Sequence, residues 1–286
     1  MPAAGFKELV LTTFPVSSAR RKFKTSGTTR EARGVHFFDT LALYDAALWP
    51  LFEEYLLDDN VRPVCFFLMP PPAEAPESSL SYMMGEIRRR VGGKGKFYVR
   101  KGELRHEKLL SDLRTQKNKK VMLLATAFAL KSFLDFLKNR KERLRLPRGS
   151  RLMETGGFKG RVKEISKMRL YAECAEWLGI GRSFCVSEYG MTELSSQFYM
   201  KRNSYFRGPS WTRTIVVDPR TGLEAKKGSE GILRHWDLAN RGSVLAVETE
   251  DWGRTKGKGF ELLGRAPGAQ LRGCSLRYEK FLRSSK

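Results

Sequence analysis

Two textures of apolar and polar positions follow one another along the chain. In the first, short uninterrupted apolar runs alternate with stretches in which apolar residues recur every three or four positions. Residues 64–69 form such a run, stopped by Pro70, Pro71 and Pro72, and residues 97–99, 121–124, 151–153 and 184–186 are read the same way. Runs of this length predict strands buried on both faces. Between them, Leu41, Tyr44, Leu48, Leu51, Phe52 and Tyr55 keep helical spacing, with Asp39 placed as the N-cap. Further helices are predicted over residues 79–90, around Leu104, Leu109, Leu110 and Leu113, and over 128–137 and 170–178. Strands alternating with helices predict right-handed βαβ units on a mostly parallel sheet, with binding loops along its carboxyl edge.

The second texture begins after Tyr199. Residues 212–217, 231–236, 244–249 and 260–263 are short strand-like runs, separated by turn-formers such as Asp218, Pro219 and Gly222, or Gly257 and Gly259. They predict a C-terminal antiparallel subdomain beside the helix-flanked sheet, an α/β fold overall. The domain plan is a loose lead over residues 1–22 and an α/β nucleotide-binding region over 23–200. A β-rich subdomain over 201–276 completes the site, and a basic tail covers 277–286.

Composition narrows the functional classes. With 286 residues, 41% of them hydrophobic, the chain can bury a substantial core. Its formal net charge of +22 favours anionic partners such as ATP or acids. The basic residues are spread along the chain, which argues against a nucleic-acid groove. Cys65, Cys174, Cys185 and Cys274 lie far apart with no C-x-x-C pair, and there are three histidines. That argues against a zinc site and a disulfide framework and points to a reducing compartment. No signal peptide and no membrane-length apolar run is found, so the expected location is the cytoplasm.

The chemistry gathers in residues 185–199, where an apolar lead-in turns abruptly into Glu188, Tyr189, Gly190, Met191, Thr192 and Glu193. Glycine at 190 lets a backbone approach a ligand and Tyr189 offers a flat face for a base. Thr192 offers a hydroxyl for phosphate, and Glu193 a hard oxygen for Mg²⁺. The plainer reading is a turn with Ser187 or Thr192 capping an ordinary helix. A second polar loop holds Thr25, Ser26, Gly27, Thr28 and Thr29, many donors with little bulk, suited to phosphate oxygens.

These two loops resemble the phosphate and adenine motifs of the adenylate-forming superfamily. Met153, Glu154, Thr155, Gly156, Gly157, Phe158, Lys159, Gly160 and Arg161, then Asp237, Leu238, Ala239 and Asn240, and finally Leu263, Gly264 and Arg265 with Arg272, Gly273 and Cys274, narrow the match. Together they resemble the acyl-protein synthetase family of the LuxE type, which activates fatty acids for the reductase of bacterial bioluminescence. The match runs from about Phe23 to Leu276. Relative to that family the chain looks shortened at its N-terminus, and Arg30 stands where glycine is usual, with Arg30 or Arg33 as substitutes for a lost cation.

What the resemblance implies is specific. The fold would be that of the large N-terminal domain of adenylate-forming enzymes. Thr25, Ser26, Gly27, Thr28 and Thr29 would hold the β- and γ-phosphates, and Tyr189 and Gly190 would lie near adenine. Thr192 would touch the α-phosphate and Glu193 would hold Mg²⁺. Asp251 would accept from the ribose hydroxyls, with Arg265 reaching ribose or phosphate. Gly156 and Gly157 would bring backbone close to adenine or the acid, and Lys159 and Arg161 would attract the carboxylate. Cys274, beside Arg272, would receive the acyl group as a thiolate. Lys280 and Lys286 match no lid motif. The expected function is ATP- and Mg²⁺-dependent activation of a carboxylic acid, a fatty acid by resemblance, as acyl-AMP. Transfer then goes to a protein thiol and on to an acceptor such as a fatty-acyl reductase. The alternatives are transfer to coenzyme A or a carrier protein, and a non-catalytic nucleic-acid-binding protein on the same scaffold.

Overall fold

The apolar runs at 64–69, 121–124 and 151–153 are strands covered by helices on both sides, whereas 97–99 divides between two short strands of different sheets and Leu104 lies in a strand before the predicted helix. The computed structural model describes residues 1–25, 33–59, 61–93, 95–156, 166–202 and 204–266. In chain order its elements are α1 (Gly5–Glu8), β1 (Arg21–Lys24), β2 (Val35–Phe38), α2 (Ala42–Leu56), β3 (Val64–Leu68), α3 (Ser79–Arg90), β4 (Gly95–Phe97), β5 (Val99–Arg100), β6 (Glu103–Leu104), α4 (His106–Arg114), β7 (Val121–Thr126), α5 (Ala127–Asn139), β8 (Arg151–Thr155), α6 (Lys167–Leu178), β9 (Cys185–Tyr189), β10 (Phe198–Lys201), β11 (Thr212–Val217), β12 (Glu230–Asp237), β13 (Ala246–Lys256) and β14 (Gly259–Arg265).

The main sheet has the order β10-β9-β8-β7-β3-β4, with every pairing parallel except that of β10 with β9. Alternate residues of one strand serve opposite cores. Phe66, Leu123, Leu152 and Cys185 pack on one side with Leu110, Phe133, Leu134 and Leu170 of α4, α5 and α6. Phe67, Leu124, Met153 and Val186 pack on the other with Leu48, Phe52, Met84 and Ile87 of α2 and α3. Three helices begin at hydroxyl caps: Ser78, Thr126 and Ser166 accept from the amides of Ser81, Ala129 and Arg169.

The second sheet, β11-β12-β13-β14, is antiparallel throughout. Its inner face packs Val216, Leu233, Val247 and Phe260 against Tyr189, Leu194 and Phe198, so residues 189–198 join the two sheets.

Four further expectations are corrected. The lead segment is packed: Phe6 is buried in this third core, Ala3 N–H donates to Glu248 C=O at 2.8 Å and Thr13 N–H to Gly242 C=O at 3.1 Å. Asp39 does not cap α2: its carboxylate accepts from the Thr40 amide, and the Thr40 hydroxyl accepts from Ala42 N–H at 3.2 Å. β9 starts after a 3₁₀ turn that includes Phe184, and continues through Glu188 and Tyr189. No helix follows it among the described residues; the chain turns and returns antiparallel as β10, because Phe198 and Tyr199 have aromatic cores to enter on both faces. Among the described residues no helix is long and apolar enough to cross a membrane.

Candidate active site

Three parallel strands end in polar residues that are buried at their carboxyl edge: Thr126 on β7, Glu154 and Thr155 on β8, and Ser187 and Glu188 on β9. Alternation sends them to opposite faces. Toward α6, Glu154 accepts from the Tyr171 hydroxyl at 2.9 Å and from Lys167 Nζ at 2.8 Å, and Lys167 also donates to the Ser187 hydroxyl. Toward α2 and α3, the Thr155 hydroxyl donates to Glu188. Burial pushes the Glu188 carboxyl up to about 7, against the pull of that hydrogen bond.

Gly156 follows β8 with φ of 78°, a conformation that favours glycine. Gly190 serves a different purpose from the one expected. A Cβ there would run into Glu188 Oε1, so this glycine makes room for a side chain of its own strand.

The turn after Gly190 is held from three directions. From β2, His36 Nδ1 lies 2.8 Å from the Thr192 carbonyl oxygen, and burial pulls this imidazole down to about 4. From α3, Ser79 Oγ lies 3.4 Å from Thr192 Oγ1. From the second sheet, Asn240 Nδ2 donates to the Glu193 carbonyl at 2.7 Å and to the Val244 carbonyl at 3.1 Å. The Asn240 side-chain oxygen accepts from Ser195 Oγ at 2.6 Å, and Asp237 accepts from the amides of Ser195 and Ser196 at 2.9 and 2.8 Å. Asp237 and Asn240 carry no role in the sequence reading beyond a family likeness. Their spacing on one turn after a strand is the signal that they act together.

The second sheet also delivers Asp251 from mid-β13, where it pairs in register with Arg265 on β14. Asp251 Oδ2 accepts from the Tyr189 hydroxyl at 2.8 Å, and Oδ1 from Arg265 at 3.0 Å; Arg265 bonds Glu250 as well. The Tyr189 ring packs edge-on against Phe198 and Phe260. Glu193 joins this group electrostatically. Burial pushes its carboxyl up to about 7, Asp251 and Glu250 push the same way, and Arg265 opposes them.

Thr25 closes the base of the hydroxyl-rich loop. Its Oγ1 accepts from Gly34 N–H at 2.8 Å, its N–H donates to the Gly34 carbonyl at 2.9 Å, and Arg33 Nε binds its carbonyl at 2.7 Å. Ser26, Gly27, Thr28, Thr29, Gly157, Lys159, Arg161 and Cys274 lie outside the described residues. Those described, Thr25, Gly156, Tyr189, Gly190, Thr192, Glu193, Asp251 and Arg265, fall at or beside the junction of the two sheets and the base of the loop. The thiols of Cys65, Cys174 and Cys185 are buried and raised by burial, Cys65 and Cys185 to about 12, so none is a ready nucleophile.

No family model matches the chain, and no curated protein matches it. Solved structures do. ATP-bound MatB from Rhodopseudomonas palustris superposes with a TM-score of 0.61 at 14% identity, covering 88% of this chain and 49% of that one. A long-chain-fatty-acid-CoA ligase from Archaeoglobus fulgidus gives 0.61 at 14%, covering 85% and 51%. O-succinylbenzoate coenzyme A synthetase from Bacillus subtilis, in complex with ATP and magnesium, gives 0.54 at 16%, covering 85% and 49%. The parallel sheet with its helices and the antiparallel C-terminal sheet is the fold this chain shares with these ligase structures. The chain spans about half the length of these structures.

Proposed function

We propose that this protein activates a carboxylic acid with ATP, as acyl-AMP, and passes the acyl group to a thiol, in the manner of the LuxE-type acyl-protein synthetases. The observation that carries the reading is the electrostatic coupling of Glu193, on the turn after β9, to Asp251 and Arg265 of the second sheet. Thr192 of the same turn is bonded to His36, two residues from the Gly34 that pairs with Thr25.

An acid oxygen attacks the α-phosphorus, the P–O bond to pyrophosphate breaks, and the acyl-AMP is later opened by a thiolate at its carbonyl carbon with loss of AMP. The protein's task is to hold two anions in line and offset their charge. In this reading the loop from Thr25 to Thr29 supplies hydroxyls and amides to the β- and γ-phosphates, and Lys159 draws in the carboxylate. Asp251 has two oxygens for a ribose diol, which would take over from Tyr189 and Arg265 as donors. Arg265, freed in part, can then turn to ribose or phosphate.

Glu193 suits Mg²⁺. A carboxyl kept near neutral pH by burial and by neighbouring Asp251 and Glu250 gains from a divalent cation, which would pull its proton affinity back down. Magnesium is commonly bound by one or two carboxylates with substrate phosphates completing its shell, and there it neutralises phosphate charge.

Two acceptors remain distinct. Cys274 would carry the acyl group toward an acceptor protein such as a fatty-acyl reductase. The coenzyme A ligases among the similar folds support direct transfer to coenzyme A instead. Incubation with ATP and labelled acid decides between them. A hydroxylamine-labile label on the protein, lost in Cys274→Ala, supports the protein-thiol route. AMP release stimulated by coenzyme A, without such a label, supports the other. Absence of pyrophosphate release with every acid contradicts both.

A further inference from the structure

The acid is where the sequence resemblance and the residues at the sheet edge diverge. Glu188 on β9 and Tyr199 on β10 are directly opposed in the antiparallel register, so their side chains share the face toward α2 and α3. Both are buried, Glu188 at 4% and Tyr199 at 1% exposure. Among the described residues the Tyr199 hydroxyl has no hydrogen-bond partner, and Glu188 and Tyr44 both act on it electrostatically. Beside them, the Gln197 side-chain oxygen is likewise buried without a partner among the described residues. The position a Cβ on Gly190 would occupy is bordered by Glu188 Oε1 and, at 3.6 Å, by Gln197 Cγ, so the carboxyl and the carboxamide flank one bare stretch of backbone.

This polar layer continues to the phosphate end of the site. The Tyr44 hydroxyl lies 3.4 Å from the Ser79 carbonyl, and Ser79 Oγ the same distance from Thr192 Oγ1. Buried polar atoms are nearly always hydrogen-bonded, and those left over point to water or a ligand. An alkyl chain laid here would leave the Tyr199 hydroxyl and the Gln197 oxygen unpaired and would face a titratable carboxyl. A substituent that donates and accepts would satisfy all three.

We propose that the acid this site activates carries a hydroxyl or amino group on its chain, recognised by Glu188, Gln197 and Tyr199, rather than a plain alkyl tail. The proposal rests on the ligase reading above and sharpens its substrate class. Glu188 serves either ligand, accepting from an ammonium as a carboxylate or donating to a hydroxyl as an acid, since burial places it near 7.

The test is pyrophosphate exchange with acids of equal chain length: hexanoate, 6-aminohexanoate and hexanoates hydroxylated at each of positions 2 to 6, with dodecanoate added. At least one substituted acid is expected to exceed hexanoate and dodecanoate in kcat/KM by about tenfold or more, because a site built to bond a polar group discriminates strongly against its absence. Tyr199→Phe is expected to shrink that ratio by about tenfold while leaving Tm unchanged or higher, since the hydroxyl removed had no partner. Glu188→Gln, nearly isosteric, is expected to shift the balance from amino toward hydroxy acids. Alkyl acids equal to or better than every substituted one overturn the proposal with the ligase reading intact, as does a ratio unmoved by Tyr199→Phe. Exchange with no acid at all overturns the ligase reading, and this inference with it.

Discussion

His36 Nδ1 lies 2.8 Å from the carbonyl oxygen of Thr192, which joins the strand leaving the hydroxyl-rich loop to the turn that follows β9. Burial keeps the ring neutral near pH 7, so an Nδ1–H donates to that carbonyl. His36→Ala leaves the carbonyl unpaired and opens space beside Phe6 and Phe38. The expected loss is about 2–4 kcal/mol by urea unfolding, and in the ligase reading the KM for ATP rises as well. His36→Asn, which restores a donor, should recover part of the ATP affinity.

Glu193 has the opposite pH signature to His36. Its folded pKa of about 7 lies above the ordinary carboxylate value of 4.5, so its contribution to stability is fully present below about pH 4.5 and is lost as pH rises through 7. His36 falls to about 4 from 6.5, so its contribution is lost as pH falls from 6.5 toward 4. Glu193→Gln removes only the first. The stability of the variant relative to the parent should therefore climb between pH 4.5 and 7, by an amount on the order of 3 kcal/mol. Urea midpoints of both proteins at four pH values across this range check it; a flat difference contradicts the buried-carboxyl account.

Asn240 bonds two carbonyls and one hydroxyl on two segments. Asn240→Ala leaves the Glu193 and Val244 carbonyls without those donors, at an expected cost of about 2–3 kcal/mol. In the ligase reading the Mg²⁺ dependence of turnover should shift to higher concentrations as well, because Glu193 loses its anchor. Asn240→Asp, which keeps the acceptor toward Ser195 but sets a buried carboxylate oxygen against both carbonyls, should cost at least as much as alanine.

Gly190→Ala tests the close approach of Glu188. The added methyl displaces the Glu188 carboxyl, which is bonded to Thr155, so an overpacking loss of about 1–3 kcal/mol is expected in thermal unfolding. The same change at Gly92, where nothing would meet a Cβ, costs only the strain of its positive φ.

Much of this architecture was legible because buried strands announce themselves. Val64–Leu68 and Val121–Thr126 are apolar at nearly every position since helices cover both faces, and Ser79–Arg90 has the predicted limits. The end of β9 was not legible. Glu188 and Tyr189 look like loop residues, yet Thr155 and Asp251 supply their partners from distant strands. The packing of Phe6 was hidden for the same reason, depending on a sheet formed more than two hundred residues later. Thr192, Glu193, Asp251 and Arg265 could be picked as candidates by chemistry and resemblance. The carbonyl that His36 holds and the roles of Asp237 and Asn240 were not legible, because each acts through backbone atoms that only the folded chain brings near.

The most direct test of the site is acid-dependent exchange of labelled pyrophosphate into ATP, compared between the parent protein and Glu193→Gln with its fold verified. The account predicts exchange that requires both ATP and a carboxylic acid and falls by about a hundredfold or more in the variant. Exchange absent with every acid, or unchanged in Glu193→Gln, contradicts it.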